Sequence, residues 1–88
     1  NAIAEFPEMA EGYVNLGRAY MLNRQPELAV KCFRNALNLD PRLVDVHFQL
    51  GEALEFSGMR EQAIQQYERA LTLNPSDARA AEALSRLR

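Results

Sequence analysis

A period of thirty-four residues constrains this chain more than any other feature. Tyr13, Leu16, Gly17, Tyr20, Ala29, Phe33, Ala36 and Pro41 return as His47, Leu50, Gly51, Leu54, Ala63, Tyr67, Ala70 and Pro75. Placing residues 10–43 on 44–77 gives nine identities, and most other core pairs are conservative, such as Val30 with Ile64. Such a period means one supersecondary unit used repeatedly, unable to bury its apolar face alone and obliged to stack on its copy. With 88 residues there is room for one domain, and so short a chain needs a continuous core.

Within each unit the apolar spacing predicts two antiparallel helices. Tyr13, Leu16, Gly17 and Tyr20 fall at i, i+3, i+4 and i+7, one face of a 3.6-residue helix. Proline fits a first helical turn, so Pro7 is expected to open this helix, which runs to about Leu22 before a turn at Asn23 and Arg24. Pro26 starts a second helix with a matching stripe of Ala29, Val30, Phe33, Ala36 and Leu37, ending near Asn38. Glu27 and Lys31 form an i, i+4 pair on its solvent side. Asp40 is expected to cap the third helix with Pro41 in its first turn. Gly58 closes that helix in a left-handed conformation near Ser57, a fourth follows over 60–73, and Asn74 to Asp77 form a joint with capping residues of its own. Ala78 to Arg88 reads as a short fifth helix. A glycine inside a helix costs about 1 kcal/mol relative to alanine, so Gly17 and Gly51 imply close helix contact, helped by the methyls of Ala29 and Ala36.

The pattern resembles the tetratricopeptide repeat, W-x2-L-G-x2-Y followed by A-x3-F and P, across nearly the whole chain. The resemblance implies an all-α fold, a right-handed α-solenoid of antiparallel helix pairs in a single domain over 1–88. Two complete units, 10–43 and 44–77, stand between partial ones: residues 1–9, the tail of a preceding repeat, and 78–88, a truncated third repeat or a capping helix. In this family the first helices of successive units line a concave groove. Opposite its core stripe the first helix carries Glu11, Val14, Asn15, Arg18 and Leu22, within about one-third of the helix circumference. The counterparts are Asp45, Phe48, Gln49, Glu52 and Phe56, and then Arg79, Glu82, Ala83 and Arg86. The resemblance thus makes Glu11, Val14, Asn15, Arg18, Asp45, Phe48, Gln49, Glu52, Arg79 and Arg86 the candidate peptide groove. Val14 and Phe48 are expected to be exposed there, and Leu22 and Phe56 are equally compatible with exposure or with cover from a neighbouring repeat. An amide such as Asn15 offers a donor and an acceptor to an extended peptide backbone. Tyr13-Val14-Asn15-Leu16-Gly17 is similar to the repeats preceding the catalytic domain of O-linked N-acetylglucosamine transferase, where asparagines at this register bind peptide backbone; Gln49 and Ala83 depart from that ladder. The family's carboxylate clamp is not expected. Asn15 stands in a clamp register, but Val14 replaces the lysine, Arg18 replaces a second asparagine, and Asp45 and Glu52 add repulsion.

Other classes of function find little support. A net charge of −2 gives no clustered basic footprint for nucleic acid. No apolar run approaches the roughly 20 residues that span a bilayer. One cysteine, Cys32, forms no internal disulfide, and one histidine, His47, offers no zinc spacing. His47 takes the register of the core residue Tyr13, and Cys32 reads as an incidental helix residue outside the apolar stripe. Glu52 and Glu55 share a helix face and read as a solvated stripe rather than opposed catalytic carboxylates. With neither nucleophile nor base assembled, no enzyme activity, cofactor or metal is expected. The leading reading is a scaffold for a protein or peptide partner. Its alternatives are a structural self-assembly module, whose uncapped repeat ends predict self-association at high concentration, and a regulatory segment of a larger enzyme. Cellular location is not encoded; the cytoplasm is the default.

Overall fold

The computed structural model describes the backbone of residues 2–88 and the side chains of residues 10–88 other than Val44. It contains five helices: α1 (Ala2–Leu22), α2 (Pro26–Leu39), α3 (Val44–Phe56), α4 (Arg60–Leu73) and α5 (Ala78–Leu87). Each packs on the next in chain order, α1 on α2, α2 on α3, α3 on α4 and α4 on α5. Among the described residues there is no strand. One continuous core of Phe33, Leu50, Leu54, Tyr67 and small residues such as Ala29, Ala36, Ala63 and Ala70 runs through the stack.

The glycine positions explain the closeness of each pair. A Cβ at Gly17 would lie 2.7 Å from the Phe33 ring, and one at Gly51 would lie 2.6 Å from the Tyr67 ring. The predicted close approach is present, but its partner is the aromatic ring itself, which fills the space that glycine leaves. Each aromatic is fully buried.

Several boundaries differ from the sequence reading. α1 carries through Pro7 as a single helix from Ala2, where a new helix start was expected; lacking an N–H, proline forgoes one i→i−4 bond there without ending the helix. The reading of residues 1–9 as the tail of another unit turns on side chains outside the described residues. At the α2–α3 joint, Asp40 does not cap α3. Its Oδ1 accepts from the Arg42 N–H at 3.1 Å in a turn over Pro41, and α3 begins only at Val44 with Leu43 at its N-cap and no side-chain cap. Residue 77, the thirty-four-residue counterpart of Leu43, behaves as predicted: Asp77 caps α5 by accepting from the N–H groups of Arg79 and Ala80. Gly58 takes the left-handed conformation at φ 84°, and Arg24, its counterpart, takes the same conformation at φ 61° without being glycine. Glu27 and Lys31 are both exposed, and no ion pair joins them among the described residues.

Candidate functional site

The candidate residues sit on α1, α3 and α5, and the structure brings them together in two groups. Glu11 and Val14 of α1 share one concavity with Asp45 and Val46 of α3 and with Asp40, Arg42 and Leu43 of the joint. On the other side of α3, Arg79 and Arg86 of α5 reach back over it. Arg79 Nη2 donates to Asp45 Oδ1 at 2.7 Å, its Nε donates to Asp77 at 3.2 Å, and its guanidinium lies 4.6 Å from the centroid of the Phe48 ring. Arg86 Nη1 donates to Glu55 Oε2 at 2.7 Å. Each of these two arginines is already engaged within the fold rather than held open for a ligand.

The sequence expectations are met unevenly. Asn15, Arg18 and Glu11 are exposed, Val14 is half-buried, and Asp45 is exposed while paired with Arg79. Phe48, expected to be exposed, is half-buried: its ring packs 5.6 Å from that of Tyr67, and Arg79 covers it. The cause lies on α5, because Arg79, thirty-four residues after Asp45, is long enough to fold back over α3 and hold both that acid and the Phe48 face. Gln49 is half-buried, and its Oε1 is enclosed without a hydrogen-bond partner. Ala83 is buried, so α5 offers only Arg79, Glu82 and Arg86 on this side. Leu22 and Phe56 are 88% and 70% exposed, which decides between the two sequence readings: neither is covered by a neighbouring helix.

Glu52 and Glu55 are half-buried rather than solvated. Burial, reinforced by the nearby Glu55 charge, raises the Glu52 carboxyl above the ordinary carboxylate range despite Arg79 and Arg86. Glu55 accepts from the Tyr67 hydroxyl at 2.9 Å as well as from Arg86. Burial and this bond to a carboxylate push the Tyr67 phenol well above its ordinary value. Sequence reasoning missed the Tyr67–Glu55–Arg86 network, although a signal was present. Phe33 and Met21 become Tyr67 and Glu55 at the same two registers, and a buried hydroxyl requires an acceptor.

At the head of α5, burial by itself would raise Asp77, but the Arg79 side chain and the Ala80 and Arg79 backbone amides outweigh it and hold the carboxyl low. His47 is buried as its register predicts; its Nε2 lies 3.0 Å from the Pro41 carbonyl and its Nδ1 3.0 Å from the Gln66 side-chain amide, tying α3 to the joint and to α4. Cys32, read as incidental, is buried, and burial raises its thiol. Among the described residues no group of His, Cys, Asp and Glu could hold a metal ion, and no helix is long and apolar enough to cross a membrane.

Comparison with known proteins agrees with this architecture. Tetratricopeptide repeat models match residues 10–43 and 44–87, so the chain belongs to the tetratricopeptide repeat family. Among solved structures, it superposes on the crystal structure of MamA with a TM-score of 0.87 at 26% identity, over 89% of this chain and 46% of that one. The second tetratricopeptide domain of human RPAP3, solved by NMR in complex with an HSP70 peptide, gives 0.85 at 29% identity, over 89% of this chain and 65% of that one. The tetratricopeptide domain of Arabidopsis OM64 gives 0.86 at 26% identity, over 90% and 65%. The chain thus spans about half of MamA and just under two-thirds of the other two. No curated protein sequence matches it.

Proposed function

We propose that this chain is a protein-interaction scaffold that holds an extended peptide segment along α1 and α3, without catalysing a reaction itself. The observation that carries the reading is the exposed row of Glu11, Asn15 and Arg18 beside a concavity floored by Val14, Leu43 and Val46. It joins apolar area to polar groups able to bond a peptide backbone. The RPAP3 domain, a neighbour in fold, binds a peptide, which supports the same use here.

With Arg79 and Arg86 neutralised by Asp45, Asp77 and Glu55, the unpaired carboxylates among the described groove candidates are Glu11 and Glu52. They favour a moderately basic ligand with an apolar anchor, because complementary charge speeds encounter and the buried anchor supplies affinity. The half-buried Val14 and the apolar floor beside it take the anchor more readily than Phe48, which Arg79 already covers. A cationic group beside Glu52 needs that carboxyl ionised. Because its folded-state value is raised, affinity falls as pH drops through that raised value, and Glu52→Gln removes the dependence.

The test is a screen of nine-residue peptides carrying one lysine and one apolar residue, with the best binders titrated while amide shifts are followed. Shifts at Asn15, Arg18, Gln49 and Glu52, and weaker binding by Asn15→Ala at an unchanged Tm, are the expected result. Binders that move none of these amides, or a preference for acidic peptides, would overturn the reading. Phe48→Ala is a poor groove probe, since it removes packing on Tyr67 as well.

A further inference from the structure

The two arginines that α5 turns toward α3 are held in different ways. Arg86 donates to Glu55, whose side chain is only 23% exposed and which also accepts from the buried Tyr67, so this contact belongs to the core. Arg79 is clamped at one edge and loose at the other. Its Nε donates to Asp77, a side chain 3% exposed and fixed as the α5 cap, whereas its Nη2 donates to Asp45, 76% exposed. An ion pair between exposed side chains contributes little, because water competes for both charges. When the outer contact opens, Nη2 has an acceptor at hand, since it already stands 3.5 Å from Asp77 Oδ2. Arg79 can therefore leave Asp45 and form a fork on Asp77 without losing a charged partner. Asp45, Phe48 and Glu52 follow at i, i+3 and i+7 along one stripe of α3. That an acid and an aromatic face so placed accept a guanidinium is visible in the fold, because the Arg79 guanidinium lies 4.6 Å from the Phe48 centroid while bound to Asp45.

We infer that Asp45 and Phe48 form a binding site for an arginine side chain of a ligand, and that Arg79 is its internal competitor, an autoinhibitory contact which the ligand shifts onto Asp77. Arginine suits the site better than lysine: a planar fork can bond a carboxylate at two points while lying over a ring, and it is more weakly hydrated than an ammonium group. A tethered competitor sets a threshold. An arginine arriving alone displaces it poorly, whereas one carried by a peptide already held along α1 arrives at high effective concentration. Arg79 thus selects ligands that engage α1 and α3 together. The site deepens the proposed groove and rests on that reading for its peptide, but small probes test it without one.

The probes are N-acetyl-arginine methylamide and its citrulline counterpart, which keeps the shape and loses the charge, titrated into the isotope-labelled protein. Arg79→Gln should bind the arginine probe at least about fivefold more tightly than the parent, with shifts at the Asp45 and Phe48 amides, because an ion pair and a cation–π contact no longer compete. Adding Asp45→Asn should abolish the gain, and citrulline should show none. In the parent, the arginine probe at about 0.1 M should move the Arg79 Nε–Hε signal as that side chain shifts to Asp77. No gain in Arg79→Gln, an equal gain for citrulline, or a gain that survives Asp45→Asn would each overturn the inference. If melting curves show that Arg79→Gln does not fold, an unmoved Arg79 Nε–Hε signal in the parent overturns it and a shifted one supports it. Peptides that move Asn15 and Arg18 but bind no better to Arg79→Gln would overturn the arginine site and leave the groove standing. A gain with the small probe and no peptide binding would do the reverse.

Discussion

The helix pairs α1–α2 and α3–α4 share a sequence pattern, yet identical residues meet different fates in them. Leu16 and Leu50 are the same residue in the same register; one is 45% exposed and the other 1%. Ala19 and Ala53 divide in the same way. The glycine–aromatic contact, by contrast, has nearly the same distances in both, with Phe33 on Gly17 and Tyr67 on Gly51. What separates the two cases is the span of the contact. A glycine and its aromatic belong to one helical hairpin and are fixed within the unit, whereas the leucine stripe is buried only by whatever helix lies on its far side.

The leucine pair offers the sharpest break. Leu50→Ala removes a fully buried side chain and should cost about 2–5 kcal/mol, whereas Leu16→Ala should cost well under half as much. Chemical denaturation of both variants measures this directly, and equal losses would mean that Leu16 is as enclosed as its counterpart.

The glycines should instead behave alike. Gly17→Leu and Gly51→Leu each force a side chain into an aromatic ring and should destabilise by at least about 1–3 kcal/mol. If one melted within a degree or two of the parent, the equivalence of the two hairpins would fail.

Exchanging the aromatics tests where the units diverge chemically. Phe33→Tyr places a hydroxyl where the first unit has Met21 rather than Glu55, and an unsatisfied buried hydroxyl costs about 1–3 kcal/mol. Tyr67→Phe should cost only about 1 kcal/mol, because Glu55 keeps Arg86. Adding Met21→Glu to Phe33→Tyr should recover part of the loss, read as a coupling energy in a double-mutant cycle. Zero coupling would show that the network's geometry does not carry over between units.

The smallest effect concerns the helix starts. Asp77→Ala removes the α5 cap and should cost about 1 kcal/mol at neutral pH. The folded Asp77 carboxyl is held low, so its contribution is present above the unfolded carboxylate value and lost as pH falls through the lowered one. The wild type and the variant should therefore converge in stability under acid. A gap that persisted there would assign the effect to packing instead of the charged cap.

Much of the fold was legible in the sequence because its determinants are local and repeat. The thirty-four-residue period and the apolar spacing point to the helices, and local turn chemistry to the left-handed Gly58 and the cap at Asp77. Legibility failed where identical registers carry different residues. Leu43 cannot cap as Asp77 does, and α3 starts later than Asp40-Pro41 implied. In the candidate site, helical periodicity placed Glu11, Asn15 and Arg18 on an exposed face. It could not foresee that Arg79 would lie over Phe48 while bound to Asp45, because a long side chain chooses among partners on different helices only once those helices are packed.

Sequence alone therefore determined the class of fold, the pairing of helices within each unit and the family, since all three follow from turn chemistry and spacing within thirty-four residues. Tertiary structure decided which leucine of an identical pair is core, which arginines remain available to a ligand, and that Glu52 and Glu55 are half-buried. Those properties belong to the distances between helices far apart in the chain, and no single stretch of sequence specifies them.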